Sequence, residues 1–322
     1  MTRLSLGCAI ALTAALTFSD PQVAAQDLLK LAIGQINNWE NQMPTLGQQA
    51  GIFKKHGIVL ETFGTQGAGE TLQAVISGSA DIGIGVGTPG AMRAFARGAP
   101  VRVLCAAFTG TGDLYWYVRS DSPLKGLADA TERNSIAYST NGSASHNLVL
   151  AFARELGAKA KPTATGGPPS TYTQVMSSQI DIGWSAPPFG LDAIQDSKIR
   201  IVARGSDVPS MRTQTVRVQI VNLAVLQSRK DVLTRFMRAY RETIDWMYSD
   251  PEAIKLYAQT VRMPEALLDA SRRQFHPKEA LEPDRISDVA AVMADAVALK
   301  FLDKALTAAE LEVFFPLPGL GK

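Results

Sequence analysis

The sequences DIGIGVGTPG at residues 81–90 and DIGWSAPPFG at residues 181–190 are two versions of one stretch, and we expect them to decide the fold. Upstream residues recur at the same spacing of 100 positions: Thr65, Gly67, Thr71, Val75 and Ser77 are matched by Thr165, Gly167, Thr171, Val175 and Ser177. Each copy predicts a loop, a short helix, a buried strand ending at Asp-Ile-Gly, and a loop of small residues. A single duplication predicts two similar lobes, and chance similarity between two helix–strand units is the alternative.

Strands and helices alternate around the two copies. Apolar runs predict strands, for example at residues 28–34, 58–63 and 101–107, and segments with helical spacing separate them. This order predicts an α/β fold in which each lobe has a mostly parallel sheet flanked by helices. The alternating stretch at residues 216–221 predicts a strand that crosses back to the first lobe, and the chain after residue 231 is predicted to be helical.

Composition limits the class of protein. The 322 residues are 46% hydrophobic and 19% charged, which is enough for two domains with buried cores. The formal net charge is +2 and the basic residues are scattered, so we expect no nucleic-acid partner. After the N-terminus, no stretch is long and apolar enough to predict a transmembrane helix.

The N-terminus has the pattern of an export signal. Arg3 precedes an apolar stretch at residues 4–18 and small residues at 23–25, so residues 1–25 are predicted to be a cleaved signal peptide. A buried N-terminal helix is the alternative, but the stretch is not amphipathic. The mature chain keeps one cysteine, Cys105, which predicts a buried thiol and no intramolecular disulfide. These features favour the bacterial periplasm.

Ligand contacts are expected beyond the carboxyl ends of the strands, where open α/β sheets bind ligands. This rule selects loops of small and polar residues at positions 35–39, 65–70, 85–89, 139–145 and 185–189. Small residues let a ligand approach the backbone, and free N–H groups at helix starts favour a negative group. The candidate ligand-binding residues are Asn38, Trp39, Thr65, Gln66, Gly67, Gly87, Thr88, Thr109, Ser139, Asn141, Gly142, Ser143, Ala144, Ser185, Ala186, Pro187 and Arg217.

Three of these candidates have more than one interpretation. The segment TNGSAS at residues 140–145 opens a predicted helix, where a Ser or Asn either caps the helix, contacts a ligand, or does both. Trp39 either stacks on a flat ligand or covers a strand end. Arg217 shares one face of a predicted strand with Gln219, where it either binds a carboxylate or sulfonate or faces solvent.

No pattern for catalysis or metal binding is found in the sequence. His56 lies in an exposed turn, His276 lies in the C-terminal segment, and His146 is the only histidine expected near the site. No histidine pair has metal-ligand spacing, and neither Cys-x-x-Cys nor Gly-x-Ser-x-Gly occurs. The glycine-rich residues 64–69 lack the Lys-Ser/Thr ending of a P-loop. We therefore predict no catalytic residue, no metal and no cofactor.

Several segments together resemble a known family: LAIG at 31–34, GIFKKHGIVLE at 51–61, GAGETLQAVISGSADIGIG at 67–85, GAPVRVL at 98–104 and IAYSTNGSASHNLV at 136–149. The chain resembles the solute-binding proteins of nitrate/sulfonate/taurine-type ABC importers, whose superfamily includes the yeast thiamine-pyrimidine synthases. The resemblance implies a type 2 periplasmic-binding fold with two crossing strands and the ligand between the lobes. Lobe 1 would comprise residues 27–111 and 221–322, and lobe 2 residues 112–220.

The resemblance implies an exported, monomeric protein that captures a ligand and delivers it to a membrane permease. The candidate loops are rich in donors and have only Glu70 and Asp113 as nearby acidic residues, which favours a small organic anion: a sulfonate, a carboxylate or an aromatic acid. An enzyme like the pyrimidine synthases is one alternative, but this chain lacks their cysteine-rich motif. A periplasmic sensor that works without a transporter is another.

Overall fold

The computed structural model describes residues 26–316, so the predicted signal peptide lies outside the described residues. Within that range the strands are β1 (Asp27–Gly34), β2 (Ile58–Thr65), β3 (Ile82–Gly87), β4 (Val101–Thr109), β5 (Tyr115–Arg119), β6 (Ser135–Tyr138), β7 (Lys161–Ala164), β8 (Gly183–Ser185), β9 (Ile199–Arg204) and β10 (Thr215–Asn222).

The helices of the described residues are α1 (Met43–Gln49), α2 (Ile52–Lys55), α3 (Ala68–Ile76), α4 (Thr88–Ala96), α5 (Ala144–Leu156), α6 (Pro168–Met176), α7 (Leu191–Gln195), α8 (Leu223–Ser228), α9 (Lys230–Ser249), α10 (Pro251–Val261), α11 (Glu265–Phe275), α12 (Val289–Ala298) and α13 (Ala308–Phe314). Among residues 26–316, none of these has the length and apolar character needed to cross a bilayer.

The two lobes have the same order of strands. The sheet of lobe 1 has the order β2-β1-β3-β10-β4, in which β10 is antiparallel to both neighbours and β1 is parallel to β2 and β3. In lobe 2, the pair β6-β7 and the three strands β8-β5-β9 are joined by a parallel bridge between Ile136 and Ile182. The resulting order is β7-β6-β8-β5-β9. The predicted α/β fold with two lobes is confirmed.

The duplicated sequence forms duplicated structure. Asp81 accepts a hydrogen bond from the backbone N–H of Lys30 at 2.8 Å, and Asp181 accepts the equivalent bond from Ser135 at 2.8 Å. Each aspartate thus ties the start of the third strand of its copy to the first strand. The sequence pattern predicted that the strand would end at Asp-Ile-Gly. Instead, β3 begins at Ile82, so this tripeptide lies at the start of the strand.

The small residues of the repeat let the helix lie close to the strand. A Cβ atom on Gly83 would lie 2.9 Å from the side chain of Val75, and one on Gly183 would lie 2.7 Å from that of Val175. Both distances are too short for a real contact, so α3 and α6 pack on β3 and β8 only because glycine is present. Two matched hydroxyl pairs close the loops before these helices: Thr65 with Thr71 at 2.7 Å, and Thr165 with Thr171 at 2.6 Å.

Two segments connect the lobes. Residues 110–114 lead from β4 to β5, and residues 205–214 lead from β9 to β10. Each connecting segment leads into an antiparallel strand, β5 in lobe 2 and β10 in lobe 1. These strands have equivalent positions, because β5 lies between β8 and β9 and β10 lies between β3 and β4. The predicted lobe boundary between residues 220 and 221 falls within β10, which pairs with lobe 1 from Thr215 onward.

The C-terminal helices complete lobe 1. The apolar stripe of α9 is buried, and Phe236 and Tyr240 pack with the strands of the first sheet. A capping box forms at α13, where the Thr307 hydroxyl accepts from the Glu310 N–H at 3.2 Å. The chain after residue 231 is mainly helical as predicted, but an irregular segment precedes α12, which begins at Val289.

Candidate functional site

A cavity of about 30 Å³ lies between the lobes at the carboxyl ends of the strands. Lobe 1 and β10 line it with Gly34, Gln35, Asn38, Glu40, Asn41, Ala68, Gly85 and Arg217. Lobe 2 lines it with Leu114, Ser139, Ser143, Ala144, Ser145 and Trp184. This is the edge of the sheets that the sequence had selected, because parallel strands present their carboxyl ends and following loops on one side.

The N-terminus of α5 forms the wall of lobe 2. Ser143 is its N-cap and accepts from the His146 N–H at 3.1 Å, so the capping interpretation is confirmed. Ser143, Ala144 and Ser145 also line the cavity. The first N–H groups of a helix have no partner within it, and the helix dipole places positive charge there. This wall therefore offers donors to a negative group.

Backbone contacts bring the lobes together beside the cavity. The N–H of Gly69 donates to the Thr140 hydroxyl at 2.9 Å. A Cβ atom on Gly87 or Gly90 would overlap the carbonyl oxygen of Gly142. Only glycine permits this approach of the two backbones. Side chains also join the lobes, as in the ion pair of Arg154 with Asp295 at 2.7 Å.

The two small-residue loops face different partners. Gly87 and Gly90 lie against Gly142 of lobe 2, while Pro188 and Phe189 lie across a groove from the loop after β1. This groove, of about 280 Å³, shares Gln35 and Asn38 with the cavity. Its wall is largely apolar and includes Ile36, Pro168, Pro169, Val261 and Met263.

Arg217 of β10 forms a buried ion pair with Asp113, which lies in the first segment that connects the lobes. Its Nη2 lies 2.5 Å from the Asp113 carboxylate, its guanidinium lies over Phe108 at 4.6 Å, and its Nε has no hydrogen-bond partner among the described residues. Burial raises the pKa of Asp113, and the Arg217 charge opposes that rise. The alternative that Arg217 faces solvent is wrong, because β10 is a central strand buried along its length.

Glu40 forms a second buried contact with His276. Glu40 Oε2 lies 3.1 Å from His276 Nε2, and both side chains are buried. Burial by itself raises the pKa of Glu40, but the contact with His276 and the charges of His276 and Arg217 outweigh it, so the pKa lies below its usual value. His276 therefore belongs to the site, contrary to the sequence prediction.

His146, the histidine expected at the site, supports the loop from behind. Its Nδ1 accepts from the Gly142 N–H at 3.2 Å, and its ring stacks on Tyr138 at 4.2 Å between centroids. Burial, and to a smaller extent the charge of Arg93, lowers the pKa of His146 to about 4. The imidazole is therefore neutral at pH 7 and helps to hold the loop before α5.

Three buried side chains near the cavity are of the types that bind metals. Potential ligand atoms of Glu40, Asp113 and His276 lie within 4.8 Å of one another. However, Arg217 already pairs with Asp113, and its charge also acts on Glu40. Compensation of both carboxylates by Arg217 and His276 makes this arrangement an ion-pair network.

Many of the predicted site residues are at the lobe interface. Asn38, Ser139, Ser143, Ala144 and Arg217 line the cavity. The groove is lined by Thr65 and Gln66, and the contact between the lobes involves Gly67, Gly87, Asn141 and Gly142.

Six of the predicted residues do not line the cavity and belong to the structure around it: Trp39, Thr88, Thr109, Ser185, Ala186 and Pro187. The Trp39 Nε1 donates to the Tyr248 hydroxyl at 3.0 Å, and its ring packs edge-on against Tyr257, so Trp39 covers the strand end. Thr88 donates to the Thr215 carbonyl at 2.7 Å, and Ser185 donates to the Phe189 carbonyl at 2.9 Å.

The sequence prediction missed Glu40, Asn41, Leu114 and Trp184. A single helical turn at Trp39–Asn41 follows the loop after β1 and directs Glu40 and Asn41 back to the cavity. The loop selected from the sequence ended at residue 39. Extending it by one helical turn would have included Glu40 and Asn41. Trp184 lies within the second copy of the repeat, where Ile84 occupies the equivalent place in the first.

Comparisons with known proteins agree with this fold. The alkanesulfonate-binding protein from Xanthomonas axonopodis bound to MOPS superposes with a TM-score of 0.72 at 18% identity, covering 89% of this chain and 98% of that one. The aliphatic sulphonate-binding protein from Escherichia coli gives 0.67 at 18% identity, covering 88% and 91%. The nitrate-binding protein from Synechocystis gives 0.59 at 15% identity, covering 77% and 70%.

At these identities the structural likeness shows the fold alone, the two-lobed periplasmic-binding-protein fold. No curated protein sequence is recognisably similar to this chain. The family model described as NMT1/THI5 like matches residues 43–254, which is more than half of the 322 residues. The chain therefore belongs to the NMT1/THI5-like family.

Proposed function

We propose that this protein is the exported solute-binding component of an ABC importer, and that it captures a small organic acid between its lobes for delivery to a membrane permease. The observation that carries the proposal is the cavity closed by both lobes, with the N-terminus of α5 on its wall. Ligand contacts to both lobes would favour the closed arrangement over an open one. The similarity to sulfonate- and nitrate-binding periplasmic proteins supports this assignment.

The donors around the cavity support an acidic ligand. Ser143 and Ser145 contribute hydroxyls beside the N–H groups of α5, and Arg217 has an unfilled Nε donor. Such donors bind carboxylate and sulfonate oxygens well because charge-assisted hydrogen bonds are the stronger ones. The adjoining groove with Phe189 and Met263 offers space for a less polar body.

The described residues give less support to an enzyme. Cys105, the thiol of the described chain, is fully buried in β4, and burial raises its pKa, so it does not supply a thiolate to the cavity. The serines of the cavity bond each other: Ser143 with Ser145 at 3.0 Å, and Ser139 with Ser145 at 3.1 Å. A nucleophile needs a base as its partner. Besides one another, Ser143 and Ser145 bond only the backbone N–H groups of His146 and Ser139, which are not bases.

Thermal-shift screening of the mature chain tests the proposal. The protein is unfolded and refolded to remove bound ligand, then mixed with sulfonates, aromatic acids, aliphatic acids, nitrate and amines. We expect one class of acids to raise the melting temperature by mass action, and the ligand to be recovered unchanged after long incubation. A rise with amines alone would contradict the proposal, and turnover of the ligand would favour an enzyme.

A further inference from the structure

We propose that the ligand carries a hydrogen-bond donor in addition to its acidic group, and that Glu40 and Asn41 bind this donor. The inference rests on the proposed function and specifies the ligand class of the same cavity. The inference is based on two acceptor atoms in the wall of lobe 1 that have no hydrogen-bond donor as a partner.

Asn41 presents an unfilled acceptor in a fixed orientation. Its Nδ2 donates to the carbonyl oxygens of Gly34 at 2.6 Å and Gln35 at 3.3 Å, so the amide nitrogen is assigned by two acceptors. Its Oδ1 has no hydrogen-bond partner within residues 26–316, and the side chain is 2% exposed. Asn41 lines the cavity, so a donor on a ligand can reach this wall.

Glu40, the preceding residue, presents a second unfilled acceptor. Its Oε1 accepts one long hydrogen bond from Asn38 Nδ2 at 3.3 Å. Its Oε2 lies 3.1 Å from His276 Nε2, yet the contact lacks the alignment of a hydrogen bond, and Oε2 has no other partner in the described chain. An ionised carboxylate has about four acceptor positions, so Glu40 can accept more hydrogen bonds than the one from Asn38.

The two walls of the cavity therefore differ: among the lining residues, unfilled buried acceptors occur on the wall of lobe 1, beside the Arg217 donor. The wall of lobe 1 offers the acceptors of Glu40 and Asn41, whereas lobe 2 offers the donors of Ser143 and Ser145 at the start of α5. A ligand with both groups fills both walls and holds the lobes together. A simple acid fills only the donor wall and leaves buried acceptors unpaired, which is unfavourable.

Pairs of ligands that differ in one donor test the inference on the unmodified protein. Suitable pairs are benzenesulfonate with 4-aminobenzenesulfonate, ethanesulfonate with 2-hydroxyethanesulfonate, and butanoate with 4-aminobutanoate. Isothermal titration calorimetry measures the affinity of each member. For the scaffold that fits, we expect the donor-bearing member to bind at least about tenfold more tightly, because a site with buried polar groups discriminates strongly against an analogue that lacks their partner.

A matched pair of variants assigns the preference to Glu40. Glu40→Gln removes the charge and is expected to reduce the preference for the donor-bearing member to about threefold or less, since a neutral amide is a weaker acceptor than a carboxylate. Glu242→Gln is the control: Glu242 also contacts a histidine, His56 at 2.8 Å, but on the exposed surface. This variant should keep the full preference.

Each contrary result has a distinct meaning. Equal affinity within every pair, or tighter binding of the donor-free members, would overturn this inference and leave the proposed capture of an acid intact, because water would then fill the acceptors. Loss of acid binding on adding EDTA would also overturn it, since Glu40 would then act as a cation ligand with Asp113 and His276. Failure of every acid to bind would overturn the proposed function itself, and this inference with it.

Discussion

The two copies of the repeat fold alike but contribute differently to the cleft. In the first copy, Gly87 and Gly90 bring bare backbone against Gly142 of the other lobe. In the second, Trp184 lines the cavity and Phe189 lines the groove, so bulky side chains fill the equivalent region. The shared residues determine the fold of each lobe, and the residues that differ between the copies shape the ligand site.

The crossing strands differ in the same way. β5 and β10 occupy equivalent places in their sheets, but β5 buries Trp116 and Tyr117 whereas β10 buries Arg217 and Gln219. The aromatic strand stabilises lobe 2 by packing and by hydrogen bonds to backbone carbonyls, such as that from Trp116 Nε1 to Ala137 at 2.8 Å. The polar strand of lobe 1 requires partners, and Asp113 supplies one of them. Variants that remove these differences test how each lobe works.

The largest effect is expected from removing the partner of Arg217. Asp113→Asn leaves a buried guanidinium without its negative charge, which should lower the free energy of unfolding by about 3 kcal/mol. Urea denaturation measures this loss. Asp121→Asn is the control, because Asp121 pairs with Arg119 of β5 on the exposed surface and should change stability little. Equal unfolding midpoints for the two variants would contradict the ion-pair assignment.

The next effect concerns the glycines at equivalent positions. Gly90→Ala places a Cβ against Gly142, so we expect at least about a tenfold loss of ligand affinity, about 1.4 kcal/mol, without loss of stability, since alanine favours helix α4. Gly190→Ala should instead lower stability by about 1–2 kcal/mol, because Gly190 has φ +84° and lies against Tyr115 of its own lobe. Calorimetry and thermal denaturation separate the two outcomes.

Gly112→Ala is the reference for both glycine variants, because a Cβ there meets no atom within 4 Å. It should leave affinity and melting temperature unchanged. If Gly90→Ala binds as tightly as Gly112→Ala, closure does not depend on the backbone contact.

A smaller effect is expected from pH. The pKa of His146 is lowered to about 4 in the folded protein, against about 6.5 in an unfolded chain, so the unfolded state binds more protons between these values. Stability should therefore fall as the pH drops from about 6.5 to 4, by up to about 2 kcal/mol after allowance for partial exposure. His146→Gln should flatten this part of the pH–stability curve, and an unchanged curve would exclude His146 as the cause.

The smallest effect concerns the α5 cap. Ser143→Ala should cost about 1 kcal/mol of stability by removing the cap, and it should also weaken acid binding severalfold because a cavity hydroxyl is lost. Thr307→Ala removes a cap of the same kind at α13, remote from the cavity, and should cost similar stability with no change in affinity. Parallel loss of affinity in both variants would indicate a general effect of stability.

The local pattern of the sequence predicts the lobes and the α5 loop well. The repeat ending at Gly90 and Gly190 predicts the duplicated units, and Ser143 has the position of an N-cap. The contacts of Glu40 and Arg217 could not be predicted from the sequence, because their partners, His276 and Asp113, lie far away in the chain.

Two questions that the sequence left open have the same physical origin. Trp39 looked free in its polar loop because the tyrosines that cover it come from α9 and α10. Arg217 looked solvated because alternation normally marks a sheet with one wet face, whereas β10 is a central strand between helical layers.

The exchange of strands between the lobes has a consequence for the order of folding. All strands of lobe 2 lie in one continuous run, from β5 to β9. In lobe 1, β3 and β4 are held apart by β10, which follows β4 by more than 100 residues, and β4 pairs with no other strand of its sheet. Lobe 2 can therefore form as soon as its own residues are available, whereas both edges of β4 lack a partner strand until the residues from 215 onward are also available.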